Sequence, residues 1–273
     1  MPELPEVETI KNELLPYVVG HQVTGVTLFW EGIVRQISAE KFCSHLIGQR
    51  LIGITRRGKY LIFSLTGSEV LVIHLRMTGS LLIGRNSSEL PKYTRAIIHL
   101  DKDTNIFFRD PRKFGVMRLA KDVKDIDSKL GPEPLENSFT PQILAQRLNN
   151  RTAAIKALLC DQTLIAGVGN MYADEVLFTA RIHPLRSGGS LSCDEIEKLH
   201  SAIKQVLWSA IGNKGASVDT YLRPNGKLGT AHFQFQVAHR LGGNLCPVCG
   251  TPIERIPIRH RGSYFCSHCQ PEL

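Results

Sequence analysis

The chain has 273 residues, with 33 Lys or Arg against 25 Asp or Glu, so its formal net charge is +8 and its pI is near 9.2. Hydrophobic residues at 42% and charged residues at 21% are ordinary globular values and exclude a disordered chain. No apolar run reaches the roughly 18–20 residues that cross a bilayer. The opening Met-Pro-Glu-Leu-Pro-Glu has neither the basic nor the apolar region of a secretory leader, so a cytoplasmic chain with no membrane attachment is expected.

In chain order, the first predicted element is a short amphipathic helix over 5–15. Pro5 suits its first position, Glu6 and Glu8 suit the first turn and its dipole, and Val7, Ile10 and Leu14 recur at helical spacing. From about 22 to 120 the pattern is mostly strand, interrupted by a helix near 39–47. Runs such as 60–65, 70–75, 96–100 and 105–108 are separated by turn residues, the signature of an antiparallel sandwich or barrel. Gly131-Pro132-Glu133-Pro134 reads as a linker. Helices are predicted beyond it at 140–149, 153–160, 171–180 and 192–212, followed by a polar loop around Asn225-Gly226 and a cysteine-rich end from about residue 239.

The charge is concentrated. Residues 50–118 hold 13 Lys or Arg and 5 Asp or Glu, which accounts for the whole excess. A phosphate-tracking face and an ordinary solvated surface are both compatible with that count.

Four of the seven cysteines form the pattern Cys246-x2-Cys249, sixteen residues, Cys266-x2-Cys269. This spacing brings two thiolate pairs to one Zn2+. Four sulfurs close its tetrahedral shell, so the metal is expected to be structural. A tail this short has too little core to fold alone. Arg255, Arg259, His260 and Arg261 lie between the pairs and give the hairpin a basic tip.

Two further segments allow two readings each. Gly167-Val168-Gly169-Asn170 before a helix can open a phosphate site at the helix N-terminus, with Asn170 as cap, or can be a plain helix–helix corner. At the start, Pro2 becomes a secondary amine if Met1 is removed. An α-amino group titrates near 7.7–8.0, so about a tenth is free base at pH 7. Such an amine can attack an electrophilic sugar carbon, and Glu3 or Glu6 can shuttle the proton. The same residues also suit an ordinary helix N-terminus.

Together these segments resemble the bacterial formamidopyrimidine-DNA glycosylases. The matching stretches are Pro2–Glu8, Arg57-Gly58-Lys59-Tyr60-Leu61, His74–Gly79, Asp110–Gly115, Gly131–Pro134, Gly167–Asn170 and the four-cysteine hairpin with Arg261. Leu4 also favours this family over its endonuclease VIII relatives, which typically carry Gly there.

The resemblance implies an α+β multidomain fold: an N-terminal β-sandwich (1–131), a helix–two-turn–helix domain (132–238) and a β-hairpin zinc finger (239–273). It implies a monomeric enzyme acting on double-stranded DNA with the damaged base flipped out of the stack. Pro2 attacks C1′ of an oxidised purine nucleotide such as 8-oxoguanine or a formamidopyrimidine, the base leaves, and a Schiff base forms. Glu3 protonates the opening sugar with Glu6 in support, Lys59 assists β-elimination, and Arg261 grips phosphate and assists δ-elimination. Met77, Arg112 and Phe114 match residues that enter the duplex, although Met77 and Phe114 read without the resemblance as core. Asn170, Arg151 and Lys156 match phosphate contacts. Two stretches depart from the family pattern: Lys92-Tyr93-Thr94-Arg95 stands where a His is common, leaving Tyr93 as the DNA contact there, and His260 and Ser263 flank Arg261-Gly262. Residues 215–232 correspond to a variable lesion-reading loop. A glycosylase for oxidised pyrimidines and a catalytically silent damaged-DNA-binding protein are the alternatives.

Overall fold

Eight of the strands form two four-stranded antiparallel sheets. In this computed structural model, residues 1–85, 89–239 and 243–272 are described, the side chains of 125 and 126 excepted. The zinc-finger segment proposed from the sequence therefore includes four positions, 240–242 and 273, outside the described residues. One sheet has the order β1 (Val23–Leu28), β6 (Thr94–Leu100), β7 (Thr104–Arg109), β5 (Ser80–Arg85). The other has the order β2 (Leu51–Arg57), β3 (Tyr60–Leu65), β4 (Val70–His74), β8 (Val116–Ala120). Leu61, Phe63, Leu71 and Ile73 of one sheet and Ala96, Ile98, Ile106 and Phe108 of the other belong to one buried core. Their period of two along each strand explains the sandwich.

Helix α1 (Leu4–Val18) and helix α2 (Ala39–Leu46) add Val7, Ile10, Leu14, Val18, Phe42 and Leu46 to that core. The sequence places the end of α1 at residue 15, before Pro16, yet the helix runs through Pro16 to Val18. Pro16 removes one N–H but lies near the C-terminal end. Leu14 and Val18, both fully buried, hold the last turn by packing.

The chain divides into two compact units that do not follow chain order. The first comprises Met1–Ser128 with Ile211–His232, and the second comprises Lys129–Ala210 with Phe233–Leu273. The first unit also carries the short α3 (Lys124–Asp127). The returning segment of the first unit inserts Tyr221 into the sandwich core. At the neck of its loop the N–H of Thr230 is donated to Asn213 O at 2.9 Å. Gly229 is required there, because any side chain would strike the carbonyls of Lys214 and Gly215.

The second unit contains α4 (Pro141–Leu148), α5 (Ile155–Leu159), α6 (Asn170–Ala180), most of α7 (Cys193–Gly212) and the hairpin β9 (Glu254–Ile258)–β10 (Arg261–Phe265). Buried Glu175 of α6 accepts the backbone N–H groups of Gln236, Val237 and Ala238 at 2.7–2.8 Å. Phe178 of the same helix joins Val237, Ile253 and three cysteines in a small cluster. The segment leading into the finger is thus held on α6 by one carboxylate, and the finger's small core packs against the same helix through Phe178.

Candidate functional site

The N-terminal segment is tightly organised. Glu3 caps α1 and is joined to Glu6 in a capping box. The Glu3 N–H is donated to Glu6 Oε2 at 2.7 Å. The other oxygen, Oε1, accepts the N–H of Ala216 at 2.8 Å. Pro2, Glu3 and Glu6 are buried, whereas Met1 ahead of them is exposed. One carboxylate thus ties the segment that carries Pro2 to the 215–221 loop of the same unit. Along that loop the N–H groups of Val218, Asp219 and Thr220 have no acceptor among the described residues.

Lys59 occupies a two-residue hairpin turn between β2 and β3, with Gly58 at φ +55°. It is 7% exposed, unusual for a lysine. The turn is braced from α1: Glu8 Oε2 accepts Arg56 Nε at 2.8 Å, and Arg56 Nη1 donates to Gly58 O at 3.0 Å. Arg56 and Lys11 hold the Glu8 carboxyl below its ordinary range against the opposing effect of burial.

His74, not singled out from the sequence, stands beside this turn. Its Nδ1 accepts the N–H of Arg76 at 3.0 Å, which leaves the hydrogen of the neutral ring on Nε2. Burial, then the positive charges of Arg76 and Lys59, push its pKa down to about 3. The ring is therefore a neutral, fixed hydrogen-bond donor across the physiological range.

The next loops present Met77, Arg112 and Phe114. Asp110 is fully buried and builds this feature. Its Oδ2 accepts the N–H groups of Phe114 and Gly115 at 2.7 Å each. Its Oδ1 accepts the Arg112 N–H at 3.2 Å and the Thr78 hydroxyl. Arg76 and Lys113 adopt left-handed φ of +56° and +60°. Met77 and Phe114 are 41% and 46% exposed, so neither is a core residue, and the Arg112 guanidinium lies 4.7 Å from the Phe114 ring centre. Tyr93, at φ +70°, is exposed between the cations of Lys92 and Arg109, 5.1 and 5.6 Å from its ring centre.

In the second unit Gln162 shapes the Gly167–Asn170 turn. Its Oε1 accepts the Gly167 N–H at 2.9 Å and its Nε2 donates to Val168 O at 2.7 Å. Gly169, not Asn170, is the N-cap of α6; Asn170 is the first helical residue. The Asn170 amide Nδ2 donates to Gly262 O of the hairpin at 3.0 Å, while its buried Oδ1 has no partner among the described residues. Arg261 opens β10 directly after the Arg259-His260 turn, where both residues have positive φ. With Arg259, Lys156 and Gln162 it lines a cavity of about 290 Å3. Arg151 is exposed.

Lys156, which the resemblance implies as a phosphate contact, is buried here. Its ammonium is almost fully buried, ion-paired with Asp174 and donating to Asn170 O at 2.7 Å. It pins the start of α6 in place. Burial pushes the Asp174 carboxyl up to about 7, against the opposing pull of Lys156 and the Tyr264 N–H.

The four zinc-type cysteines converge. All four Sγ atoms lie within 4.8 Å of one another, with Cys246–Cys269 and Cys249–Cys266 at 3.9 and 3.4 Å. A tetrahedral Zn–S distance of about 2.3 Å puts sulfurs about 3.8 Å apart, so the donor set fits one structural zinc. Gln270, fully buried, accepts the Cys266 N–H at 3.1 Å and donates to Ile182 O at 2.8 Å, orienting the second knuckle.

Three family models cover this architecture: the formamidopyrimidine-DNA glycosylase N-terminal domain over residues 1–117, the H2TH domain over 130–221, and a zinc finger found in FPG and IleRS over 243–271. Relatives named formamidopyrimidine-DNA glycosylase from Chloroflexus aurantiacus and Symbiobacterium thermophilum are 44% and 42% identical. Each match spans 99% of this chain, and 98% and 90% of those proteins respectively. Among solved structures, a Lactococcus lactis FPG mutant in complex with a Fapy-dG containing DNA superimposes at a TM-score of 0.92 with 34% identity, covering 99% of this chain and all of that one. A MutM complex with carbocyclic 8-oxo-G containing DNA gives 0.91 at the same identity and coverage of this chain. The fold and the metal site therefore define a zinc-finger DNA glycosylase. The chain belongs to the formamidopyrimidine-DNA glycosylase family.

Proposed function

We propose that this enzyme removes oxidised purines, 8-oxoguanine and formamidopyrimidines, from duplex DNA and then cleaves the strand as an AP lyase. The observation that carries the reading is the Glu6 carboxylate, which holds the Pro2-bearing segment by Glu3 N–H and the 215–221 loop by Ala216 N–H. A nucleophile for the sugar and a row of open backbone donors for a base are thereby set on one scaffold. The relatives named above are called formamidopyrimidine-DNA glycosylase, and the two matched solved structures hold Fapy-dG and carbocyclic 8-oxo-G containing DNA.

After removal of Met1, the Pro2 nitrogen attacks C1′ and the bond from C1′ to the base breaks, the base leaving with the proton that the Pro2 nitrogen gives up. Opening of the sugar puts a proton on O4′, supplied by Glu3, and leaves an iminium between Pro2 and C1′. Loss of a C2′ proton, assisted by Lys59, expels the 3′ phosphate. Loss of the C4′ proton then expels the 5′ phosphate, with Arg261 on the phosphate. Glu6 positions the nucleophile's segment, because both its oxygens are occupied by N–H groups. Met77 and Phe114 wedge the step that the flipped base leaves, and Arg112 takes the orphaned partner base. Arg151, Asn170 and Tyr93 contact the backbone. Lys156 acts on phosphate by fixing the start of α6. The zinc keeps the Arg261 hairpin folded. No described helix is long and apolar enough to cross a membrane; we place the enzyme in the cytoplasm, on nucleoid DNA, as a monomer. Its working divisions are 1–131, 132–238 and 239–273.

The test is borohydride trapping on a duplex with 8-oxoguanine opposite cytosine, combined with intact mass. A covalent adduct formed by the Met1-less species and mapped to Pro2 is expected. Zinc-loaded, Met1-less protein that binds this duplex without forming an adduct would overturn the reading. An adduct on a thymine glycol duplex alone would reassign the enzyme to oxidised pyrimidines.

A further inference from the structure

The loop that follows α7 is fastened to α1 by two carboxylates, with a Tyr221–Thr9 side-chain hydrogen bond between them, and only one of the carboxylates belongs to the chemistry above. Glu6 holds Ala216; Glu13 holds Arg223. Arg223 Nε donates to both Glu13 oxygens, at 3.0 and 3.2 Å, and Nη2 donates to Oε1 at 2.5 Å. Both side chains are 20% exposed. Glu6 and Glu13 are seven residues apart on one helix, which places them about 10.5 Å apart along one face. Ala216 and Arg223 are also seven residues apart, and the open N–H groups of Val218, Asp219 and Thr220 fall between them.

Arg223 has little freedom of its own. Its N–H is donated to Lys227 O and its carbonyl accepts the Gly226 N–H, both at 2.9 Å. Leu222 N–H is donated to Ser80 Oγ at 3.3 Å, and the Ile83 N–H to Pro224 O at 2.8 Å. These bonds fasten residues 222–224 to strand β5, and Leu222 packs on Leu82, Ile97 and Phe107. Loss of the ion pair therefore leaves the loop folded and removes its charged tie to the helix that carries Pro2, the Tyr221–Thr9 hydrogen bond remaining.

We propose that Glu13 and Arg223 are a positioning pair for base discrimination: together they set the distance between the loop's donors and the nucleophile. This rests on the reading of the loop as the part that contacts the damaged base. Neither residue touches a reacting atom. An abasic site offers no base to the loop, so the pair matters for base excision and is dispensable for strand cleavage at a preformed abasic site.

The experiment compares wild type, Glu13→Gln, Arg223→Met and the double variant on two duplexes, one with 8-oxoguanine and one with a preformed abasic site, under single-turnover conditions. Misplacing a positioning group by about 1 Å can cost up to about 100-fold, and a partial release of the loop predicts an excision loss of about tenfold. Cleavage of the abasic duplex should stay within about twofold, since its reacting atoms keep their partners. The double variant should be no worse than either single one, because both remove the same interaction. Excision and lyase falling together, excision unchanged in the variants, or additive losses would each overturn the pair's role. Wild type that cleaves the abasic duplex but excises no 8-oxoguanine would instead overturn the reading of the substrate.

Discussion

Asp110 Oδ2 accepts the Phe114 N–H at 2.7 Å, and that bond decides where the ring stands. The same oxygen takes the Gly115 N–H, while Oδ1 takes Arg112 N–H and the Thr78 hydroxyl, so one buried carboxylate satisfies four donors. Asp110→Asn turns one oxygen into an N–H2 group. In either amide orientation a buried donor then faces donors. Leaving such groups unsatisfied costs about 1–3 kcal/mol each, so a loss of about 2–4 kcal/mol in urea unfolding is expected, with excision lost in parallel. A loss under about 0.5 kcal/mol, the range of an ordinary surface change, would contradict the role given to Asp110.

Phe114 and Met77 themselves should behave in the opposite way. At 46% and 41% exposure they contribute little to the folded core. Phe114→Ala and Met77→Ala are therefore expected to shift stability within about ±0.5 kcal/mol. Excision from a lesion duplex should still fall by about tenfold or more, because the wedge that compensates unstacking is gone. Base extrusion can be followed by 2-aminopurine fluorescence beside the lesion. A large drop in melting temperature would mean that these residues serve as core.

How far the sequence reaches is clearest at three places. Cys246 to Cys269 are legible because metal chemistry fixes both residue type and spacing. Lys156 is not: its burial depends on Asp174, eighteen residues on in the next helix, and no local pattern announces an ion pair between helices. His74 lies inside a recognised stretch, yet its tautomer follows from a backbone N–H two residues away and its low pKa from burial and from the charges of Arg76 and of Lys59 in the β2–β3 turn. The two sheets are visible as alternation, whereas the return of 211–232 to the first unit is not, since Glu13 and Arg223 are 210 residues apart in sequence.

His74 also predicts a pH dependence. Its ordinary pKa of 6.5 drops to about 3 in the folded chain. Below pH 6.5 the unfolded chain binds a proton that the folded chain refuses. The stability tied to the neutral ring is full above pH 6.5 and declines as the pH falls toward 3. His74→Asn keeps an acceptor for the Arg76 N–H and removes the titration. Its melting temperature should accordingly fall less than that of wild type between pH 7 and pH 4.5. Parallel curves for the two proteins would show that the ring is not held neutral by its surroundings.

Zinc removal should act locally. The apolar cluster beneath the finger consists of Phe178, Val237 and Ile253 together with three of the cysteines, so the metal and the small core are one unit. Without the ion, this hairpin has too few apolar residues to stay folded. A chelator should therefore release the amides of β9 and β10 to hydrogen exchange while β3 and β4 of the sandwich stay protected. Duplex affinity should drop with it, since Arg261 and the Gly262 carbonyl that receives Asn170 both lie on β10. Zinc affinity should weaken as the pH is lowered, because protons compete for the thiolates. Chelated protein that keeps its duplex affinity and its protection over 254–265 would show that the hairpin folds by packing alone and that the cysteines are dispensable to it.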